Sequence, residues 1–387
     1  MCVSVRDVLP HPVDGAHFVL ADTAAVFDLL LGDGVHHRHH HRGDVLLNFL
    51  GEDLHGLVGA LLDGVAQGVV LFRRVGVQGD GHHVKPPGEV RADIPAVDKA
   101  AGAVGFTDDG VPIMEEGLVR EAMKKVARLQ VPISFHEEDP SLITNNGVNR
   151  GIASRHFGIG GSPREAEYTM VERDLKIALE TGAQIDVQHI STKEAVEMVR
   201  QAKKKGSNIH AEATPHHFTL TEEDVITYGT LAKMNPPLRT EEDRRAIICG
   251  LQDGTIDLIA TDHAPHSREE KEQEITKAPS GIIGLETALP LAITKLVKEG
   301  YLNMHQVLEK MSYHPANLYH LDAGYLAEGG PADLILVDTD RQQVIGDYLS
   351  KSDNSPFTGW TLFGVVETTI CQGKVVFNRE NGVSDIK

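Results

Sequence analysis

Cysteine is scarce in this chain. Its three cysteines, Cys2, Cys249 and Cys371, lie far apart and form no Cys-x-x-Cys pair. That argues against a disulfide framework or a thiolate zinc site and fits a reducing cytoplasm. Positive charge is in deficit: 37 Lys and Arg stand against 56 Asp and Glu, a net charge of −19. Nucleic acid and anionic membranes are therefore not expected partners. No apolar run approaches the ~18 residues of a membrane span. The N-terminus lacks a basic segment followed by an apolar core, so no secretory signal is expected. What is there is a 387-residue chain of ordinary soluble composition, long enough for a barrel and a smaller domain.

A second scarcity is local. Residues 1–98 contain one Ser, one Thr, one Ile, one Lys and no Tyr, yet hold 10 of the 21 histidines. No turn-bounded strand with clean alternation stands out there. Three origins fit this segment: a divergent domain, a poorly ordered extension, or translation from a frame other than the one encoding the rest. Skewed usage of this kind favours the last. Its run His36-His37-Arg38-His39-His40-His41 could bind metal as a tag does, but a catalytic role is not expected of it.

From about Lys99 the organisation is legible. Phe106-Thr107-Asp108-Asp109-Gly110 reads as a strand end entering a turn. A helix over 115–129 follows, with Leu118, Ala122, Val126 and Leu129 at helical spacing. A second helix over 163–181 stops at Gly182, a C-cap signal. Ser191 to Glu194 has the pattern of a capping box, opening a helix that closes at Gly206. A strand over 208–214 leads to Pro215-His216-His217, and helical patterns recur over 239–251 and 284–299. This alternation predicts a parallel α/β architecture over 99–322. Beyond residue 323, short runs at 332–338, 365–371 and 374–378 predict a small β domain.

Apolar runs at 131–135, 185–188 and 256–260 end at His136, His189 and Thr261-Asp262-His263-Ala264-Pro265-His266. In an α/β barrel the carboxyl ends of the strands carry the chemistry. Imidazoles and carboxylates converging there suit a divalent-metal hydrolase, which needs a bridging carboxylate, neutral imidazoles and a further carboxylate for protons. Taken singly, each residue has a blander reading. A lone Asp-Asp-Gly is more often a turn, a single histidine is more often buried or surface than a ligand, and Asn235-Pro236 is a common turn dipeptide. Recurrence at successive strand ends favours ligation for His136, His189 and Asp262. His263, His216 and His217 stay open between ligand, supporting and structural roles.

Eight blocks carry a family resemblance: GFTDDG (105–110), FHEED (135–139), HISTKEA (189–195), AEATPHHFTLT (211–221), KMNPPLR (233–239), DLIATDHAPH (257–266), APSGIIGLETALPL (278–291) and GGPADLILVD (329–338). From about Ala101 to Asn378 the chain resembles bacterial dihydroorotases of the amidohydrolase superfamily, in the class with a bridging aspartate. Hydantoinases and allantoinases resemble these blocks less well. The resemblance implies a (β/α)8 TIM-type barrel, incomplete at its N-terminal strands, and a zinc site holding two ions in the family. Asp109 would be the bridging carboxylate, and His136 and His189 would hold one zinc. Asp262 would ligate the other and pass the proton. Asn235, His266 and the Ser280-Gly281 backbone region would hold a small-molecule substrate. The implied reaction is reversible cyclisation of N-carbamoyl-L-aspartate to L-dihydroorotate, a step of pyrimidine synthesis, with a homodimer left open.

The family also has a His-x-His-x-Arg segment ending its first barrel strand and a Met-x-Asn-Thr-like segment after the next. Neither is present here. His37-Arg38-His39 and His39-His40-His41 match His-x-His only within a histidine run, with no arginine two residues beyond. One zinc or fewer is therefore expected, with impaired activity and open sheet edges. A hydantoinase- or allantoinase-type enzyme and a catalytically inactive homologue that binds a partner enzyme are the alternatives.

Overall fold

Along the three middle strands of the central sheet, apolar and polar residues alternate, and the two sets face different neighbours. The computed structural model describes residues 103–110, 112–206 and 208–383, with the backbone of Ala16–Val19 (β1) and Val70–Arg73 (β2). The histidine run 36–41 lies outside the described residues. Strands Ala103–Thr107 (β3), Ile133–Phe135 (β4), Ile185–Val187 (β5), Ile209–Ala213 (β6) and Leu258–Ile259 (β7) form a parallel sheet in sequential order. Phe106, Ile133, Phe135, Ile185, Val187, Ile209 and Ala211 pack into one core with the covering helices. Side chains between them face the other side of the sheet, as a two-residue period requires. There Ser134 Oγ donates to Asp186 at 3.2 Å and pairs with the Tyr319 hydroxyl at 2.8 Å. Thr107 Oγ1 donates to Gln188 at 3.2 Å.

The helices are Glu116–Leu129 (α1), Glu165–Thr181 (α2), Lys193–Lys203 (α3) and Glu241–Asp253 (α4). Each follows its strand and returns the chain to the same end, the βαβ unit expected of a parallel sheet. In α1 the period holds but the phase differs from expectation: Val119, Met123 and Val126 are buried, whereas Leu118 is 37% exposed. The capping box expected between Ser191 and Glu194 does not form. Ser191 is taken by the buried Glu167 and Glu194 by Arg164, so Thr192 caps α3 instead, accepting from the Ala195 N–H at 3.3 Å. The pattern over 284–299 is the helix Leu285–Ala292 continuing into a π-turn at Ile293–Val297.

Among the described residues the five parallel strands make an open, curled half-barrel, with no closed ring of eight. The edge expected to be bare at β3 is paired: β2 lies antiparallel against it, Val70 opposite Thr107. Pairing satisfies the amide and carbonyl groups an edge would otherwise expose. A second sheet runs β1, Leu334–Val344 (β8), Thr361–Cys371 (β9), Lys374–Asn378 (β10) and Gly382–Val383 (β11), with antiparallel pairing throughout. Its strand β8 outruns the expected 332–338 because pairing with β9 resumes past a bulge between Asp338 and Gln342. Ile345, Phe357 and Leu362 from this unit share an apolar core with Met234, Leu238, Ile282 and Leu291. Gly364 takes φ +94°, and a Cβ there would meet the Ile293 side chain at 2.5 Å, so the packing of β9 against the helical segment after Leu285–Ala292 favours glycine. No helix among the described residues is long and apolar enough to cross a membrane.

Candidate metal centre

The parallel pairing sends four strand ends to one mouth. Asp109 lies two residues beyond β3, His136 directly after β4, His189 two residues beyond β5, and Asp262 three beyond β7. Asp109, His136 and His189 converge, offering ligand atoms within 4.8 Å of one another. His136 Nδ1 and His189 Nε2 face each other at 3.0 Å, and the Asp109 carboxylate is 3.7 Å from the first and 3.9 Å from the second. A tetrahedral zinc with bonds of about 2.0–2.1 Å holds its ligand atoms roughly 3.3 Å apart. The N2O donor set and these spacings fit such an ion.

Backbone and hydrogen bonds fix the three groups. The Asp109 amide donates to Thr107 Oγ1 at 3.0 Å. Buried Asp108 accepts from the His136 amide at 2.8 Å and the Ile113 amide at 2.9 Å, tying the β3 loop to the end of β4. Burial nevertheless lifts the Asp108 carboxyl to about 6. His189 and Asp262 adopt φ of 32° and 47°, a left-handed conformation that side chains such as theirs rarely take and that costs on the order of 1 kcal/mol or more each.

Charge is concentrated here. Burial opposes a proton on His189, but the Asp109 carboxylate, then Asp262 and Glu212, outweigh it and raise His189 to about 10. Burial pushes Asp262 up to about 6, with Asp109 adding to the rise and the two imidazoles opposing it. A cation placed among these groups relieves the repulsion between the carboxylates and replaces the proton on His189. Asp262 stands outside the three-residue cluster but within its electrostatic reach.

A second layer was not foreseen from the sequence. Glu138, fully buried, faces His136 Nε2 at 3.4 Å and accepts from Ser162 Oγ at 3.1 Å. Burial disfavours its charge, yet His136 and Arg239 hold its carboxyl below the usual range. Arg239 in turn donates to Asn149 at 2.8 Å and to the Ser162 carbonyl at 2.9 Å. FHEED offers this carboxylate two residues past His136, but its spacing alone does not say that it returns to the ring.

The remaining candidates separate by role. His217 is structural: it pairs with Thr214 Oγ1 at 2.8 Å and the Pro236 carbonyl at 3.0 Å, and burial lowers it to about 3. His263 Nδ1 accepts from the Gly284 amide at 3.0 Å. His266 Nε2 donates to the Ser280 carbonyl at 2.8 Å. Asn235 Oδ1 and Ser280 Oγ are buried without a hydrogen-bond partner among the described residues, as groups awaiting a polar ligand are.

Residues 52–376 match the amidohydrolase family. This chain belongs to the amidohydrolase family. The match begins inside the compositionally skewed segment. This amidohydrolase is 56% identical over 280 residues to a dihydroorotase of Clostridioides difficile (strain 630), covering 72% of the chain and 66% of that relative. It is 50% identical over 281 residues to a dihydroorotase of Clostridium acetobutylicum, with the same coverage. The chain thus spans just under two thirds of the length of these relatives. Among solved structures, an L-hydantoinase (dihydropyrimidinase) from Arthrobacter aurescens superposes with a TM-score of 0.66 at 26% identity, over 75% of this chain and 68% of that one.

Proposed function

We propose that this amidohydrolase acts on a cyclic amide in the manner of a dihydroorotase, interconverting N-carbamoyl-L-aspartate and L-dihydroorotate. The observation carrying this reading is the convergence of Asp109, His136 and His189 at the mouth where Asp262 also stands. Identity of 50–56% to proteins named dihydroorotase supports the choice of substrate over hydantoin or allantoin. His136, His189 and Asp109 would hold one zinc. When bound, that ion supplies Lewis-acid polarisation and lowers the pKa of water from ~15.7 towards ~7. Asp262, buried and raised to about 6, is poised to take and return a proton near neutral pH. Asn235 and Ser280 supply unspent buried polar atoms to a substrate bearing carboxylate and amide groups. His266 and Gly281 shape the same wall.

A second zinc position would rest on Asp262 and a share of Asp109, with no His-x-His-x-Arg segment to complete it. Slow turnover is the consequence. The free cysteines Cys249 and Cys371 accord with a cytoplasmic setting. The test is a side-by-side assay of the zinc-loaded chain on dihydroorotate, hydantoin and allantoin. Dihydroorotate should be hydrolysed fastest, though slowly. Faster turnover of either other ring contradicts the substrate assignment.

A further inference from the structure

Two loops carry three of the residues assigned to substrate, His266, Ser280 and Gly281, with Asn235 outside them. One runs from Asp262 to His266 and the other from Ala278 to Ile282. In the second, five successive carbonyls are all engaged by the protein. Lys233 Nζ donates to Ala278 O at 2.6 Å, and Lys271 Nζ to Pro279 O at 2.9 Å and Gly281 O at 3.0 Å. His266 Nε2 takes Ser280 O at 2.8 Å, and the Ala264 amide takes Ile282 O at 2.8 Å. Gly281 has φ +113°, and a Cβ there would lie 2.4 Å from that of Ala264. The loops are therefore packed backbone to backbone.

One side chain from the other sheet's unit reaches both. Asn354, between β8 and β9, is 2% exposed. Its Nδ2 donates to Ala264 O at 3.0 Å and Gly281 O at 3.2 Å, and its Oδ1 accepts from the His266 amide at 3.2 Å. Its own carbonyl accepts from the Ile283 amide at 3.2 Å. Both protons and the oxygen of the amide are used, each on a backbone group. Aspartate has the same shape but no donor, and would set a carboxylate against two carbonyl oxygens.

We infer that Asn354 is a positioning residue by which the C-terminal unit clasps the two substrate-bearing loops and holds their backbone in the shape that receives substrate. The substrate half of this inference rests on the dihydroorotase reading; the clasp itself does not. Fixing the loops before binding spares the ordering cost when substrate arrives.

The test compares Asn354→Asp with the full-length parent and with Val337→Ala, a buried apolar truncation in the same unit whose core neighbours lie outside both loops. Hydrogen–deuterium exchange is followed in peptides covering 262–268 and 278–284, and dihydroorotate binding to the zinc-loaded proteins is measured calorimetrically. N354D should exchange about tenfold faster in both loops and bind dihydroorotate about tenfold more weakly, as expected for losing two buried hydrogen bonds, with zinc content unchanged. V337A should lower the melting temperature and leave loop exchange at the parent's rate. Unchanged loop exchange in N354D, or equal acceleration in V337A, overturns the clasp. Faster exchange in N354D with a parent that binds no dihydroorotate upholds the clasp and overturns its substrate role, together with the reading beneath it.

Discussion

At the scale of single residues, the candidate centre depends on orientation as much as on ligand identity. A metal-bound imidazole is commonly fixed by a carboxylate on its far nitrogen, which also raises its basicity. Glu138 stands in that relation to His136, whose Nδ1 faces His189 while its Nε2 faces Glu138. Glu138→Gln should therefore weaken zinc affinity by about 10–100-fold, read by competition with a chromophoric chelator, with the fold retained. Affinity equal to the parent's would mean that the carboxylate only fills space. Asp262→Asn should cut hydrolysis by about 10²–10⁴-fold while zinc content is kept. His136 and His189 were legible in the sequence because each follows an apolar run and strand ends in a parallel sheet are forced to one side; Asp109, by itself a turn aspartate, was legible only through the family resemblance. Glu138 was not, since nothing in spacing alone says that a neighbouring carboxylate folds back onto the ring. Nor was the structural role of His217, whose partner Pro236 lies 19 residues on.

Between elements, one buried junction locks three helix starts together. Arg164, preceding α2, donates to both oxygens of Asp243 in the first turn of α4, each at 2.6 Å, and also pairs with Glu194 of α3. Asp243 also caps its own helix through Thr240 and accepts from the Lys193 amide at 2.9 Å. Burial resists its charge, but Arg164, Thr240 and Lys193 prevail, and its carboxyl is held below the usual value. A depressed carboxyl adds stability that is complete above the unfolded value of about 3.9 and lost as pH falls through the folded one. Asp243→Ala should cost about 3 kcal/mol at pH 7 in urea unfolding, by stranding a partly buried arginine. The gap between variant and parent should narrow below about pH 4; a gap that stays constant into acid would refute the ionic account. The helices and strands here were readable from period and punctuation. What the period could not give was phase. In α1 the buried side is set by packing against the sheet and α2, which brings Val119 and Met123 inward and leaves Leu118 partly outside. At α3 the capping pattern of Ser191 was real, but Glu167, 24 residues earlier, competes for the same hydroxyl.

For the whole molecule, the decisive feature is a half-barrel whose mouth supplies one compact ligand set. Among the described residues the parallel sheet ends at β3, where β2 pairs antiparallel, and no further strand there brings a second pair of imidazoles to Asp109. The two sheets are joined by a shared apolar core and by Asn354, which makes the mouth's geometry a property of both units. The parallel arrangement of the central strands followed from the alternation of strands and helices. The pairing of β2 did not, because its segment carries none of the usual turn and strand signals. The most direct test of the account is metal stoichiometry: zinc per chain in the purified, zinc-equilibrated protein and in the Asp109→Ala/His136→Ala/His189→Ala variant. The account predicts about one tightly held zinc per chain, lost in the variant. Two zincs per chain, or one retained by the variant, would contradict it.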